Sequence, residues 1–324
     1  LYIAQSGLIG ANGTDTAEGR PFFTSASSEY RLLDGEESIS ADLVYQQDEV
    51  TITKRFTMNR GEYLVHVDYL IENRSAQVWS AGFYAQIKRD SYQPPVDTGI
   101  GVRPYLGAAV TTPDDRYLKR DFGDLDDESF TQTVDKGWVA MLQHYFVSAW
   151  IPSPEQPLTY SLRKLPNSNF YLMGYTQPAV VVQPGTTHSI DSQFYVGPKN
   201  QYRLAEISEH LNLTVDYGWL WWAAQPLFWL LQTIHNLIPN WGVSIILLTL
   251  CVKGAFFKLS ATSYRSMAKM KKLQPKMAAL KERHGSDRQA MSQEMMKMYQ
   301  KEKVNPMGGC LPILVQMPVF IALY

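Results

Sequence analysis

From Asp42 to Gly197 the chain is built of short runs that favour strands. Val50-Thr51-Ile52-Thr53 alternates apolar and polar with the two-residue period of a half-buried strand. Residues 63–71, 78–87 and 138–151 are rich in β-branched and aromatic side chains. Between them fall Asn73, Pro94-Pro95, Pro113-Asp114-Asp115, the prolines from Pro152 to Pro157, Pro166-Asn167 and Pro184-Gly185, all turn or loop signals. Many short strands separated by such turns predict an all-β sandwich over residues 1–200.

After Pro198 the period lengthens. Leu204, Ile207, Leu211 and Leu213 fall near one helical face, predicting a linking helix within 201–217. Residues 218–238 are nearly all apolar and carry Trp219, Trp221, Trp222 and Trp229, yet Gln225, Gln232, His235 and Asn236 share one stripe. Two readings compete, a spanning helix interrupted by Pro226 and an amphipathic helix lying in the headgroup plane, and the tryptophans with the polar stripe favour the second. Residues 239–261 predict a transmembrane helix with one charge, Lys253, between Ile245-Ile246-Leu247-Leu248 and Phe256-Phe257.

Residues 262–304 predict a helical hairpin. Met270, Leu273, Met277 and Leu280 are spaced 3, 4, 3; Gly285-Ser286-Asp287 marks a break; Met291, Met295 and Met298 are spaced 4, 3. Pro275 is expected to kink the first arm or displace its start. Residues 305–324 predict the start of a further spanning helix, because 311–324 is apolar but reaches about 21 Å as a helix against a hydrocarbon core of roughly 30 Å. With Leu1 in place of an initiating methionine, the chain is expected to be cut at both ends.

Charge divides the chain. The whole carries 30 Lys+Arg against 31 Asp+Glu, but residues 1–217 hold 17 basic and 27 acidic side chains, and 265–304 hold 11 and 4. Cytoplasmic loops concentrate Lys and Arg, so the basic segment is expected inside and the acidic sandwich outside, with one crossing between them. Cys251 and Cys310 both lie in the apolar part, so no disulfide framework staples the sandwich.

Candidate chemistry is concentrated at one residue. A cation well inside an apolar helix costs on the order of 2.5–3.5 kcal/mol on insertion scales and faces a bundle interior or wet cavity. Lys253 has Thr249 at i−4 and Ser260 at i+7, and Gln316 adds an amide to the next apolar segment, so the four would line a wet groove. The competing reading has Lys253, about 18 Å along the axis from Trp241, snorkelling to headgroups while Thr249 bonds back to its own helix.

The methionine seam (Met270, Leu273, Met277, Met291, Met295, Met298) reads either as an ordinary helical pair or as a docking arm whose basic face attracts anionic lipids or ribosomal RNA. Interleaved aromatics for a nucleic-acid module are missing, so DNA is not an expected partner. The acidic run 121–128 reads as solvated surface, with calcium binding as the minor alternative. His66, His144, His188 and His210 lack metal spacing, and no nucleophile elbow, phosphate loop or paired-cysteine motif appears. No cofactor and no catalytic residue is expected.

The run Val304-Asn305-Pro306-Met307-Gly308-Gly309-Cys310-Leu311-Pro312, with Gln316-Met317-Pro318 and Ala322-Leu323-Tyr324, closely resembles the bacterial YidC membrane protein insertases (the YidC/Oxa/Alb family). Val215-Asp216-Tyr217-Gly218-Trp219-Leu220-Trp221, Asn240-Trp241-Gly242, Ser266-Met267-Ala268-Lys269-Met270, Leu273-Gln274-Pro275-Lys276 and Ser292-Gln293-Glu294-Met295-Met296 support it. The resemblance is strong over 198–324, while the sandwich fits the family's periplasmic domain by position and β content.

The resemblance implies a periplasmic β-supersandwich, an interfacial helix, a cytoplasmic hairpin and a five-helix core in the bacterial inner membrane, two of whose helices are represented. It implies a non-enzymatic insertase that receives nascent membrane proteins in a hydrophilic groove, alone or with the Sec translocon and its accessory subunits. The ribosome, signal recognition particle machinery and anionic lipids are further implied partners. Lys253 occupies the position of the family's usual groove arginine, and lysine keeps that charge without the planar donor fork. Thr249 and Gln316 match groove positions. Two other classes stand beside it: a sandwich that binds carbohydrate or peptide, with Trp79 or Tyr92 stacking on a sugar or else packing structurally, and a transporter component.

Overall fold

The computed structural model describes residues 1–93, 104–153, 157–283, 288–301 and 311–323. The chain divides into Leu1–Val215 and Asp216–Tyr324.

The first unit is two antiparallel sheets. One has the order β1 (Tyr2–Ile9), β6 (Trp79–Asp90), β13 (Phe170–Val182), β12 (Leu158–Lys164) and β9 (Phe130–Val134). The other runs β2 (Thr24–Ser25), β3 (Ser38–Gln47), β4 (Val50–Asn59), β5 (Leu64–Asn73), β14 (Thr187–Pro198), β11 (Phe146–Pro152), β10 (Val139–Leu142), β7 (Gly107–Val110) and β8 (Leu118–Asp121). Local chemistry sets the hairpins. Gln47 pairs with Val50, leaving a two-residue turn in which Asp48 takes φ 52°, a left-handed conformation that aspartate tolerates. Between β13 and β14, Pro184 and Gly185 (φ 74°) fill the central positions of a turn closed by Thr186 N–H donating to the Gln183 carbonyl at 3.1 Å.

Alternation along the strands sends Ile52, Tyr69, Ile71, Phe83, Ile87, Tyr160 and Tyr175 into the core between the sheets. Tyr69 meets Phe83 edge-on at 5.3 Å, a favoured aromatic geometry. A second core covers the opposite face of the larger sheet: Val139 and Met141 belong to the inner core, whereas Ala140, Leu142, Val147, Ala149 and Ile151 belong to the outer one. Strands buried on both faces have no polar side, which explains why, within the run 138–151, residues 138–142 and 146–151 are apolar but for Ser148, with Gln143 and His144 between them. That run is two strands rather than one, turned at 143–145, where the Gln143 N–H donates to the Phe146 carbonyl at 3.0 Å.

The outer core is closed by helix α2 (Gln201–Ile207) and the 3₁₀ turn Leu211–Thr214, through Leu204 and Leu211, both fully buried. Asn200 caps the helix, its side chain accepting from the Tyr202 and Arg203 N–H groups. Trp138, fully buried, donates its indole N–H to the Glu209 carbonyl at 3.1 Å. Residues 201–215 are therefore part of the sandwich unit rather than a free linker.

Further differences from the sequence reading have simple causes. The acidic run folds in part into helix α1 (Phe122–Asp127), because Asp121 and Asp124 form a reciprocal capping box and Phe122 and Leu125 are buried. No cluster of metal-ligating side chains occurs among the described residues. Trp79 lies in the inner core, 3 % exposed, so it cannot stack on a sugar, while Tyr92 is exposed. Strand β1 precedes the predicted strand region, its alternation weakened by Gln5-Ser6-Gly7.

Among the described residues β1 pairs with β6 alone, which leaves its other edge without a strand partner. The Leu8 carbonyl accepts from the Asp15 N–H (2.8 Å), and the Ser6 carbonyl from the Lys54 ammonium (3.2 Å) that reaches across from β4. Asp15 also accepts from the Tyr84 hydroxyl at 2.6 Å, and any Cβ at Gly7 would collide with that carboxylate. Burial pushes the Lys54 ammonium down to about 8 and the Tyr84 phenol well above its usual value.

The second unit is helical: α3 (Trp221–Leu237), α4 (Trp241–Ala255), α5 (Phe257–Arg283), α6 (Arg288–Lys301) and α7 (Leu311–Leu323). Asn240 caps α4, its side-chain oxygen accepting from the Val243 N–H at 3.2 Å. No single described helix is long and apolar enough to cross a membrane, but Trp241–Ala255 and Phe257–Ala278 together are, bent by 60°. The expected single helix over 239–261 thus breaks at Phe256, two residues after Gly254, a weak helix former; the Phe256 N–H turns to the Gly254 and Val252 carbonyls. α5 runs unbroken through Pro275. Gly285-Ser286-Asp287 and the glycine-rich motif from Val304 to Cys310 lie outside the described residues.

Candidate functional site

The polar residues proposed for the groove stand on three helices. Thr249 and Lys253 are on α4, both exposed, with Lys253 in its last turn, where a cation complements the helix dipole. The Thr249 hydroxyl donates to the Ile246 carbonyl at 2.7 Å, the back-bonded arrangement that satisfies it within its own helix. Ser260 lies beyond the break, on α5, so one continuous stripe from Thr249 through Lys253 to Ser260 does not form. Gln316, on α7, instead donates its side-chain amide to the Ser260 hydroxyl at 3.3 Å. The structure therefore brings Ser260 and Gln316 together and leaves Thr249 and Lys253 on a separate exposed face.

Around these polar groups the helices present apolar surface. Ile245, Ile246 and Leu250 of α4 and Leu314, Met317, Phe320 and Ile321 of α7 are all exposed. So much apolar area without a partner marks a surface meant for lipid or protein. An amide–hydroxyl pair between two such helices satisfies both polar groups where water is scarce.

The tryptophans of the preceding segment, Trp219, Trp221, Trp222 and Trp229, are also exposed. Trp241, which opens α4, stacks on His235 of α3 with ring centroids 3.7 Å apart and planes 9° from parallel. Sequence reasoning noted both residues but not the stack; the short Ile238-Pro239-Asn240 link that forces the two helices to meet was its visible signal. Ser244 was missed. It is fully buried, four residues after the Asn240 cap, and bonds back to the Asn240 carbonyl at 2.9 Å.

Of the methionine seam, Leu273 is buried and Met270, Met277, Met295 and Met298 are half-buried; the Met291 side chain lies outside the described residues. The Tyr299 hydroxyl of α6 approaches the Met277 sulfur of α5 at 3.6 Å. Lys269, Lys271, Lys272 and Lys276 line the exposed side of α5.

Residues 1–230 match the YidC periplasmic domain, and residues 233–324 match the 60Kd inner membrane protein family. The curated membrane protein insertase YidC of Cellvibrio japonicus (strain Ueda107) is 57% identical over 323 residues, covering 100% of this chain and 58% of that protein. Its counterpart from Pseudomonas entomophila (strain L48) is 53% identical over 325 residues, with the same coverage. The chain thus spans 58% of the length of these relatives. Among solved structures, a galactose mutarotase related enzyme from Lactobacillus acidophilus overlaps 54% of this chain and 71% of its own at 9% identity, with a TM-score of 0.35, a likeness too loose to bear on function. With both segments matched in order from end to end, the chain belongs to the YidC family of inner membrane proteins.

Proposed function

We propose that the chain is the periplasmic domain and an adjoining membrane portion of a membrane protein insertase. The observation that supports this most directly is the end-to-end identity of 57% to a curated insertase. In this reading the acidic sandwich lies in the periplasm of a multi-pass inner membrane protein. α3 lies in the headgroup plane with its tryptophans at the interface, and α4 with the start of α5 forms a bent crossing. The basic rest of α5 and α6 forms the cytoplasmic hairpin. Domain limits follow at 1–215 for the sandwich unit, 216–238 for the interfacial segment, 239–261 for the crossing and 262–304 for the hairpin.

The mechanism is physical rather than covalent. Polar flanks of an incoming segment lose water as they enter hydrocarbon, and each unsatisfied polar group there costs several kcal/mol. Lys253, Thr249, Ser260 and Gln316 offer a charge and hydrogen-bonding groups at that depth, after which the apolar part of the segment partitions into lipid. The positive charge favours substrates with acidic translocated segments. The clients are nascent membrane proteins, delivered by the ribosome and signal recognition particle machinery or shared with the Sec translocon. The Lys-rich face of the hairpin holds anionic lipid headgroups, and its methionine seam adapts to varied apolar partners.

The test is insertion by the full-length protein in proteoliposomes. Lys253→Ala is expected to lower insertion of acidic-segment substrates several-fold while Lys253→Arg retains it. Unchanged insertion by Lys253→Ala across several substrates overturns the role of the charge.

A further inference from the structure

Helices α3 and α4 meet at a tight corner, where the imidazole of His235 lies flat on the indole of Trp241, 3.7 Å between centroids and 9° from parallel. The α4 side of this corner is fixed by its backbone. Asn240 accepts from the Val243 N–H at 3.2 Å, the Ser244 hydroxyl donates to the Asn240 carbonyl at 2.9 Å, and the Asn240 N–H donates to the Ile238 carbonyl at 2.6 Å. On the α3 side the Ile238 N–H still reaches the Ile234 carbonyl at 2.9 Å, and Ile238 itself is extended (φ −128°, ψ 97°), as a residue ahead of proline must be. The two helix ends are thus stiff, and the ring stack is the side-chain contact that bridges them.

Nothing else ties the imidazole down through its inner nitrogen. Nδ1 of His235 is buried without a hydrogen-bond partner, and the amides beside it on the polar stripe serve each other, Gln232 donating to Asn236 at 3.2 Å. His235 stands in the last turn of α3, where the helix dipole favours a cation. A neutral imidazole on an indole is an ordinary aromatic stack, whereas an imidazolium in that place gains the attraction of a cation for a ring face, strongest for tryptophan. Histidine is also the side chain that ordinarily changes charge between pH 5 and 8.

Other titratable groups are far from the stack. The remainder of α3, the turn Gly218–Leu220 and helix α7, which pack together, hold none; α4 holds Cys251 and Lys253, about 15 and 18 Å along its axis from Trp241. Tyr217, whose ring lies 6.0 Å from that of Phe228, and Asp216, which accepts from the Gly218 N–H, stand before the first turn of α3. The charge on His235 is therefore the one that the corner feels.

We propose that His235 and Trp241 form a proton-operated latch: protonation of the imidazole holds α3 and α4 together at the corner, and loss of the proton lets the angle between them vary. The polar stripe that carries His235 gives protons a path to it from water at the membrane surface.

The experiment measures the distance between spin labels at Gln225→Cys of α3 and Ile246→Cys of α4, both exposed positions, in an otherwise cysteine-free full-length protein in lipid nanodiscs at pH 5 and pH 8. Expected is a narrower distance distribution at pH 5 than at pH 8. The difference should be lost in His235→Phe, which stacks without titrating, and in Trp241→Leu, which offers no ring face. His235→Arg, whose permanent cation can lie flat on the indole, should be narrow at both pH values. Equal widths at the two pH values in the protein with His235 and Trp241 intact, or a difference that survives in His235→Phe, overturns the proposal. Should Trp241→Leu fail to fold, His235→Phe and His235→Arg carry the comparison. The labels report without any client protein, so failure of the latch and failure of the insertase reading are separate results.

Discussion

The sandwich and the helical unit use apolar side chains in opposite ways. In the first, buried apolar residues run from Leu8 to Leu211 in two closed clusters; in the second, Leu220, Ala224, Leu248 and Leu273 alone among the described apolar residues are buried. Tryptophans show the contrast best. Trp79, Trp138 and Trp150 are enclosed, whereas Trp219, Trp221, Trp222 and Trp229 are at least 58% exposed. The same hydrophobic residues fold one unit by leaving water and equip the other to be solvated by lipid, so each unit should fail for different reasons.

The sharpest way to break this comparison is to open the outer core. Trp138→Ala removes a fully buried indole and its hydrogen bond to Glu209, and should cost about 3–5 kcal/mol, read from the sandwich transition in thermal or denaturant unfolding. Partition of the helical unit into liposomes should not change; if it does, the two units are not independent in stability.

A smaller effect concerns Lys54. Its amine has a folded pKa near 8 against an ordinary value of 10.5, so between those pH values the unfolded state binds more protons and stability rises with pH. The cost of the desolvated ammonium is full below pH 8. Lys54→Met should therefore stabilise the sandwich at pH 7 by on the order of 1 kcal/mol, and the advantage should vanish towards pH 10.5. The raised phenol of Tyr84 acts with the opposite sign, its neutral form being kept by the fold, so it erodes stability only once pH passes the ordinary tyrosine range. An advantage of Lys54→Met that is constant over this window would remove the desolvation argument.

The smallest effect tests the helical unit. A double-mutant cycle of Ser260→Ala and Gln316→Leu should give a coupling of about 0.6 kcal/mol in bilayers, typical of interhelical hydrogen bonds there. Zero coupling in lipid would separate the two residues and weaken their joint place in the proposed groove.

How far sequence reaches differs between the two units for the same physical reason. β4, β5 and β6 are legible because one face of each strand alternates against the core. The run at 138–151 is less so: burial on both faces erases the polar phase within each strand, and the turn between them is marked only by Gln143-His144. Helix α1 hides behind its charge, although the Asp121 and Asp124 spacing that caps it can be read afterwards. In the helical unit the residues of the candidate groove are visible as polar interruptions, but their partners are not. Hydropathy continues smoothly through Phe256, so nothing in composition separates Lys253 from Ser260, and only the packing of α7 pairs Ser260 with Gln316.

The lysine reaching beneath β1 has a consequence for the company this protein is proposed to keep. Bare strand edges recruit other extended chains, and unfolded membrane proteins are rich in such chains. With Lys54 on the Ser6 carbonyl and Asp15 on the Leu8 carbonyl, this part of the sheet offers a passing polypeptide no free acceptors to copy from. In the proposed role, this arrangement would keep the protein from seeding aggregation of its clients along that border.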